Sequence, residues 1–143
     1  MLEMKISPKA IILCDDVRVE ASGKQILIGV YTSSIIFQTF PATMAINIWI
    51  AAEVSDPGSV ELNFRGDFRQ DSASITLFEV KGSFDIEAAD DYSIVHIGAL
   101  PLTFPGPGKL LIEMQVGRGR WHLLRSVPVD LKAAAVTASP PPA

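Results

Sequence analysis

The densest group of ionisable residues lies near the start of the chain, in the stretch ILCDDVRVEASGKQILIGVY. Two apolar runs are interrupted there by Asp15, Asp16, Arg18 and Glu20. Neighbouring carboxylates are residue types that general acid–base catalysis uses, so one hypothesis is an enzyme with an acidic site at Asp15 and Asp16. The alternative is structural: the acids and Arg18 form a cluster of ion pairs within a strand, as is common in sheets. The residue types favour the structural interpretation and leave the other open.

A second acidic group lies in the stretch FDIEAADDYS. Its carboxylates are hard oxygen ligands of the kind that calcium prefers, and they are Asp85, Glu87, Asp90 and Asp91. Their spacing matches no EF-hand loop, and acidic loops at sheet ends often serve hydration alone. Calcium is therefore a weak alternative, and we predict neither a metal nor a cofactor.

Nucleophilic catalysis has little support among the other residues. Cys14 lies in an apolar run, there is no G-x-S-x-G motif, and His96 and His122 occupy strand-like surroundings. The net charge of −4 argues against nucleic acid as a partner, because phosphate binding depends on clustered Lys and Arg. We interpret the three arginines of GRGRWHLLR as a solvated face. Together these patterns predict a protein that is not an enzyme.

Alternation of apolar and polar residues dominates the chain and predicts strands. The expected strands span 10–20, 24–31, 44–54, 59–68, 73–80, 92–100, 109–117 and 120–127. Turn signals such as SDPGS, FPGPGK and VGRGR separate them, and no substantial helix is expected. Many short strands of this kind predict an all-β fold, an antiparallel, immunoglobulin-like β-sandwich of about eight strands.

A chain of 143 residues with 48% apolar residues is typical of one domain with a substantial core. We predict a lead-in at 1–8, a single sandwich domain at 9–132 and a disordered Ala/Pro-rich tail at 133–143. The N-terminus has no signal-peptide pattern, and no apolar run is long enough for a membrane span. One cysteine cannot form an internal disulfide, which fits a cytoplasmic protein.

The opening stretch predicts a β-hairpin, with strands 10–20 and 24–31 joined through Ala21, Ser22 and Gly23. Strict alternation would bury Asp15 among aliphatic residues, which costs several kcal/mol for an unpaired carboxylate. Two solutions exist. A β-bulge near Asp15 and Asp16 would shift the phase, or Arg18 or Lys24 would pair with one of these acids.

The hairpin stretch also resembles the signature of a family of small bacterial proteins that carry a domain of unknown function. The matching residues are Asp15, Asp16, Arg18, Glu20, Gly23, Lys24, Gly29, Val30 and Tyr31. Later stretches, FPGPGK followed by an alternating strand and then GRW before the last strand, are similar as well. The resemblance covers about residues 10–131 and implies a compact bacterial β domain, but it implies no activity.

The strand at 44–54 carries the most suggestive surface feature. If Met44, Ile46, Ile48 and Ile50 face the core, Trp49 points outward beside Ala45, Asn47 and Ala51. Tryptophan anchors many interfaces, so a candidate interface comprises Trp49, Asn47 and Tyr31. A covering loop is an equally good explanation for Trp49. These residues predict a protein-interaction or assembly module that associates with itself. The alternative is a small-ligand or carbohydrate-binding module using Trp49, or Tyr31 and Tyr92, with nearby polar groups.

Overall fold

The computed structural model describes residues 6–55, 58–86 and 92–132. These residues form nine β-strands joined by turns and bends, and they contain no helix. The strands are β1 (Ile6–Val19), β2 (Gln25–Tyr31), β3 (Ile35–Phe37), β4 (Ala42–Val54), β5 (Gly58–Gln70), β6 (Ala73–Ile86), β7 (Tyr92–Phe104), β8 (Gly108–Val116) and β9 (Trp121–Leu131). The all-β prediction is confirmed, with nine strands where about eight were expected. None of the described residues forms a helix long and apolar enough to cross a membrane.

The strands form two sheets. The first sheet has the order β2-β1-β4-β7, and the second has the order β3-β9-β8-β5-β6. All neighbouring strands are antiparallel except β3 and β9, which run parallel. The three-residue β3 is the strand that the alternation pattern does not predict, because it is too short to show a period.

The core lies between the sheets and follows from period-two patterning, which places every second residue on one face. Ile46, Ile48 and Ile50 of β4 are buried as predicted, and Met44 is half-buried. On β8 the predicted inward row is buried at Leu110, Ile112 and Met114 and half-buried at Val116. Buried phenylalanine rings pack within this core, and Phe68 and Phe104 meet edge to face at 5.4 Å.

Both ends of the predicted domain, 9–132, are described, but the segments expected on either side of it are described only in part. β1 begins at Ile6, within the segment expected to be a lead-in. The tail expected at 133–143 lies outside the described residues.

Candidate interaction surface

The first two strands form the predicted β-hairpin. Its turn closes through the amide of Glu20, which donates to the carbonyl of Lys24 at 2.8 Å, and the amide of Gly23, which donates to the carbonyl of Glu20 at 2.9 Å. Gly23 has a φ of +91°, a conformation that glycine adopts at little cost. The local sequence therefore determines the turn.

The charges within the hairpin are accommodated by pairing. The register between β1 and β2 does not shift at Asp15 and Asp16, so no bulge lies there; the bulge in β1 lies between Pro8 and Ala10. Instead, Arg18 Nε lies 3.1 Å from Asp16 Oδ2, both side chains being largely exposed. The ion pair considered for this stretch is therefore present at Asp16, whereas Asp15 is exposed and is not buried among aliphatic residues.

The carboxylates of Asp15 and Asp16 share no hydrogen-bond partner. Neighbouring residues of a strand point to opposite faces. Asp15 is exposed and accepts a 2.7 Å hydrogen bond from the Tyr31 hydroxyl, while Asp16 bonds Arg18 and the backbone amide of Val17. Burial and the adjacent Asp15 carboxylate raise the pKa of the Tyr31 hydroxyl, which keeps it a proton donor. The arrangement gives each acid its own partner.

Glu20 lies at the exposed turn of the same hairpin. Its Oε2 accepts a hydrogen bond from the hydroxyl of Ser22 at 3.3 Å. The carboxylate is thus tied to the turn residues and is separated along β1 from Asp15 and Asp16.

Asn47 lies at the point where β1 stops pairing with β4 and the hairpin extends beyond it. It is 4% exposed and lies opposite Cys14, the last residue of β1 that pairs with β4. Its Nδ2 donates to the carbonyl of Asp15 at 2.8 Å, and its Oδ1 lies 2.8 Å from His96 Nε2. The Asn47 side chain thus extends the pairing of β4 by one residue. The neighbouring Cys14 is buried, and this burial raises the pKa of its thiol.

Trp49 holds the far end of the hairpin. Its Nε1 donates to Gln25 Oε1 at 2.5 Å. Trp49 pairs with Ile12, whereas Gln25 pairs with Val19, so a straight ladder would separate them by about 23 Å along the strand. The bond therefore shows that the end of the hairpin does not continue as a straight ladder. The half-buried Trp49 thus lies on the outer face of the first sheet, and its indole N–H holds the hairpin through Gln25.

Arg125 ties the second sheet to the base of the hairpin. Its two terminal nitrogens donate to the carbonyls of Ile11, at 3.2 Å, and Tyr31, at 2.9 Å. The sequence interpretation of a solvated arginine face holds for the exposed Arg118 and Arg120 but not for Arg125. Because its carbonyl partners are remote in sequence, no local signal identifies this role.

The candidate interface residues do not form one patch. Asn47 and Trp49 share the outer face of the first sheet, but Tyr31 lies opposite the buried Leu13 on the inner side. The exposed apolar surface is instead on β2, where Ile26, Ile28 and Val30 are 40%, 39% and 44% exposed. We call these three residues the apolar row.

The aromatic residues considered for carbohydrate binding are likewise dispersed. Tyr31 lies on the inner side of the first sheet, away from Trp49. The hydroxyl of the exposed Tyr92 is 3.4 Å from Glu53 Oε1, four rungs along β4 from Trp49. The structure brings no two of these three rings into contact.

A polar cluster that the sequence did not suggest lies on the second sheet. Arg65 bonds Glu113 at 3.1 Å, lies 3.7 Å from Asp67 and places its guanidinium 4.1 Å from the centre of the Trp121 ring. The hydrogen bond with Glu113 raises the pKa of Arg65. Beside it, the buried Asn63 donates to Gln115, while its Oδ1 has no hydrogen-bond partner. Arg65 is thus neutralised by its own neighbours and offers no free charge to an anion.

The weak calcium alternative receives no support from the residues that the structure describes. Asp85 is exposed near the end of β6, and Glu87, Asp90 and Asp91 lie outside the described residues. Within the described ranges, no three His, Cys, Asp or Glu side chains are grouped to hold a metal ion.

Gly29 allows the hairpin to accommodate Asp15. Its φ is +69°, and a Cβ atom at this position would collide with the Asp15 carboxylate. We expect Gly29→Ala to lower the free energy of unfolding by about 2 kcal/mol through strain and collision together. Gly23→Ala is the matched control, because it also has a positive φ but faces open space, and it should cost about 1 kcal/mol. Equal losses of unfolding free energy in the two variants, measured by urea denaturation, would show that the collision does not affect stability.

No protein-family model matches the chain, and a search of curated proteins finds no match. The resemblance to a bacterial family of unknown function therefore stays a prediction.

Proposed function

We propose that the protein is a non-enzymatic assembly module that associates with itself through the apolar row of the hairpin. The observation that carries the proposal is the placement of Ile26, Ile28 and Val30 in succession on one face of an edge strand, each about 40% exposed. No other described strand presents three exposed large apolar residues in succession. Contiguous exposed apolar side chains are typical of interaction surfaces.

The chemistry of β2 supports the same proposal. An edge strand usually carries charge, proline or a very short length that discourages pairing with another chain. β3 is three residues long, β6 carries Glu79 and Lys81, and β7 contains Pro101. β2, with the sequence QILIGVY, has no charged residue and no proline.

The hairpin is also held in place before any partner arrives. Asn47, Trp49 and Arg125 each bond a different part of it, as described above. A surface whose conformation is already fixed loses less entropy on association, so a small contact can suffice for binding.

The proposal includes two features that follow from the sequence patterns. Two packed, largely antiparallel sheets support an immunoglobulin-like arrangement. A cytoplasmic location is supported by the single cysteine, Cys14, which lies buried as a free thiol.

The test is the molar mass in solution, measured by light scattering on a sizing column over a range of concentrations. We expect the wild type to approach twice the chain mass of 15.4 kDa and Ile28→Glu to be a folded monomer, since the contact would bury an unpaired carboxylate.

Ile75→Glu is the matched control. Ile75 is 47% exposed on β6, at an edge of the second sheet, and its substitution should leave the dimer intact. A wild type that stays monomeric at several hundred micromolar, or an Ile28→Glu variant that still dimerises, would contradict the proposal.

A further inference from the structure

The face of the hairpin that carries the apolar row also carries two opposite charges. In the β1–β2 ladder, Ile28 lies opposite Asp16 and Ile26 lies opposite Arg18. Residues directly opposite in an antiparallel pair project from the same face. The face therefore has two parallel columns: apolar residues on β2, and Asp16 and Arg18 on β1. The two charged side chains are 50% and 69% exposed, so both are available for contact.

We propose that a second copy of this chain packs on this face about a twofold axis through the rung formed by Val17 and Leu27. This inference rests on the proposed function and specifies its geometry. The axis lies in the plane of contact and is perpendicular to the strands. It places each strand over its own copy, running in the opposite direction. Since Val17 and Leu27 are opposite each other, residues on either side of their rung exchange places. Arg18 then faces Asp16 of the second copy, and Ile26 faces Ile28.

The same twofold rotation places complementary residues opposite each other in both the apolar and the charged column. This match points to a second copy of the chain rather than to another partner. An interface about a twofold axis must be self-complementary, so each positive group needs a negative group at the symmetric position. Asp16 and Arg18 meet this condition around the same rung that matches Ile26 with Ile28. The chain as a whole carries a net charge of −4, so two copies repel unless the contact is locally complementary.

The structure also explains why these charges remain free to pair across the interface. Within one chain Arg18 uses Nε toward Asp16 Oδ2, at 3.1 Å. A guanidinium has five donor hydrogens, so its terminal nitrogens remain available to a second carboxylate. Contact of two copies would thus produce two pairs of linked charges, one at each side of the axis.

Charge reversal tests the geometry. Asp16→Arg gives a face with two positive groups, and Arg18→Asp gives a face with two negative groups. Each variant alone should dimerise at least tenfold more weakly than the wild type in sedimentation velocity. An equal mixture should recover a dimer, because positive faces then meet negative ones, and native mass spectrometry should identify it as the mixed species. Circular dichroism of each variant verifies the fold.

A second measurement does not depend on the charges. Facing sheets lie about 10 Å apart, beyond the reach of a disulfide, so a short bismaleimide is the suitable cross-linker. In a Cys14→Ala background, Ile28→Cys should cross-link to its own copy far more than Val30→Cys, because the axis places the two copies of residue 28 about 7 Å apart along the strand and those of residue 30 about 20 Å apart.

The outcomes separate the two proposals. If the wild type is monomeric, both fail. If it is dimeric but the charge-reversed variants stay dimeric, or their mixture stays monomeric, the twofold geometry is wrong and self-association stands. Cross-linking of Val30→Cys as efficient as that of Ile28→Cys would also overturn the geometry.

Discussion

Leu110→Ala is expected to lower the free energy of unfolding by about 3 kcal/mol. Leu110 has no exposed surface and lies opposite Phe68 on β5 and Val127 on β9, in the middle of the second sheet. Truncation removes buried methyl groups and leaves a cavity that rigid neighbours on both strands cannot fill. Urea denaturation followed by circular dichroism measures the loss.

Leu123→Ala is the matched control for this effect. Leu123 lies on β9 and is 59% exposed, so the same truncation should change stability by no more than about 0.5 kcal/mol. Comparable losses at the two positions would mean that the inner and outer faces of these strands are wrongly assigned.

Asn47→Leu is expected to cost about 2–3 kcal/mol and to loosen the hairpin. The substitution keeps the side-chain volume but removes the donor to the Asp15 carbonyl, leaving that acceptor without its partner. Amide hydrogen exchange should accelerate over residues 15–31 more than in the second sheet. The hairpin would then lose the fixed conformation that the proposed self-association requires.

Asn63→Leu offers a contrast within the same chain. Asn63 is similarly buried, at 7% exposed, but its Oδ1 has no hydrogen-bond partner. Leucine therefore removes an unsatisfied atom together with the bond to Gln115 and a long bond to the Gly117 carbonyl, at 3.4 Å, and the net change should stay within about 1 kcal/mol. If Asn47→Leu costs no more than Asn63→Leu, the side chain of Asn47 does not hold the hairpin.

The parts of the fold that depend on local pattern could be predicted. Alternation marks eight of the nine strands, and the Ala21–Gly23 turn specifies the hairpin because all its determinants lie within a few residues. The orientation of Trp49 also follows from period two. β3 could not be predicted, because three residues are too few to show an alternation. Its parallel pairing with β9 depends on residues at the other end of the domain.

The candidate surface was harder to foresee because long-range contacts determine it. Alternation correctly places Asn47 beside Trp49 on the outer face, but the side chain is buried by contacts with Asp15 and His96. Arg125 looks like any exposed arginine in the sequence, and its carbonyl partner Ile11 is 114 residues away. The Trp49–Gln25 bond likewise joins residues 24 positions apart, and no local pattern indicates it.

The parallel pairing of β3 with β9 has a consequence for how the protein is made. During synthesis, Ile35–Phe37 leaves the ribosome long before Val129–Leu131, its only strand partner among the described residues. The second sheet cannot close on this side until β9 has been synthesised. Contacts between such distant segments raise the contact order, so we expect folding on the millisecond-to-second scale that is typical of β-sandwiches. Until then the exposed backbone of β3 is open to contact with other nascent chains.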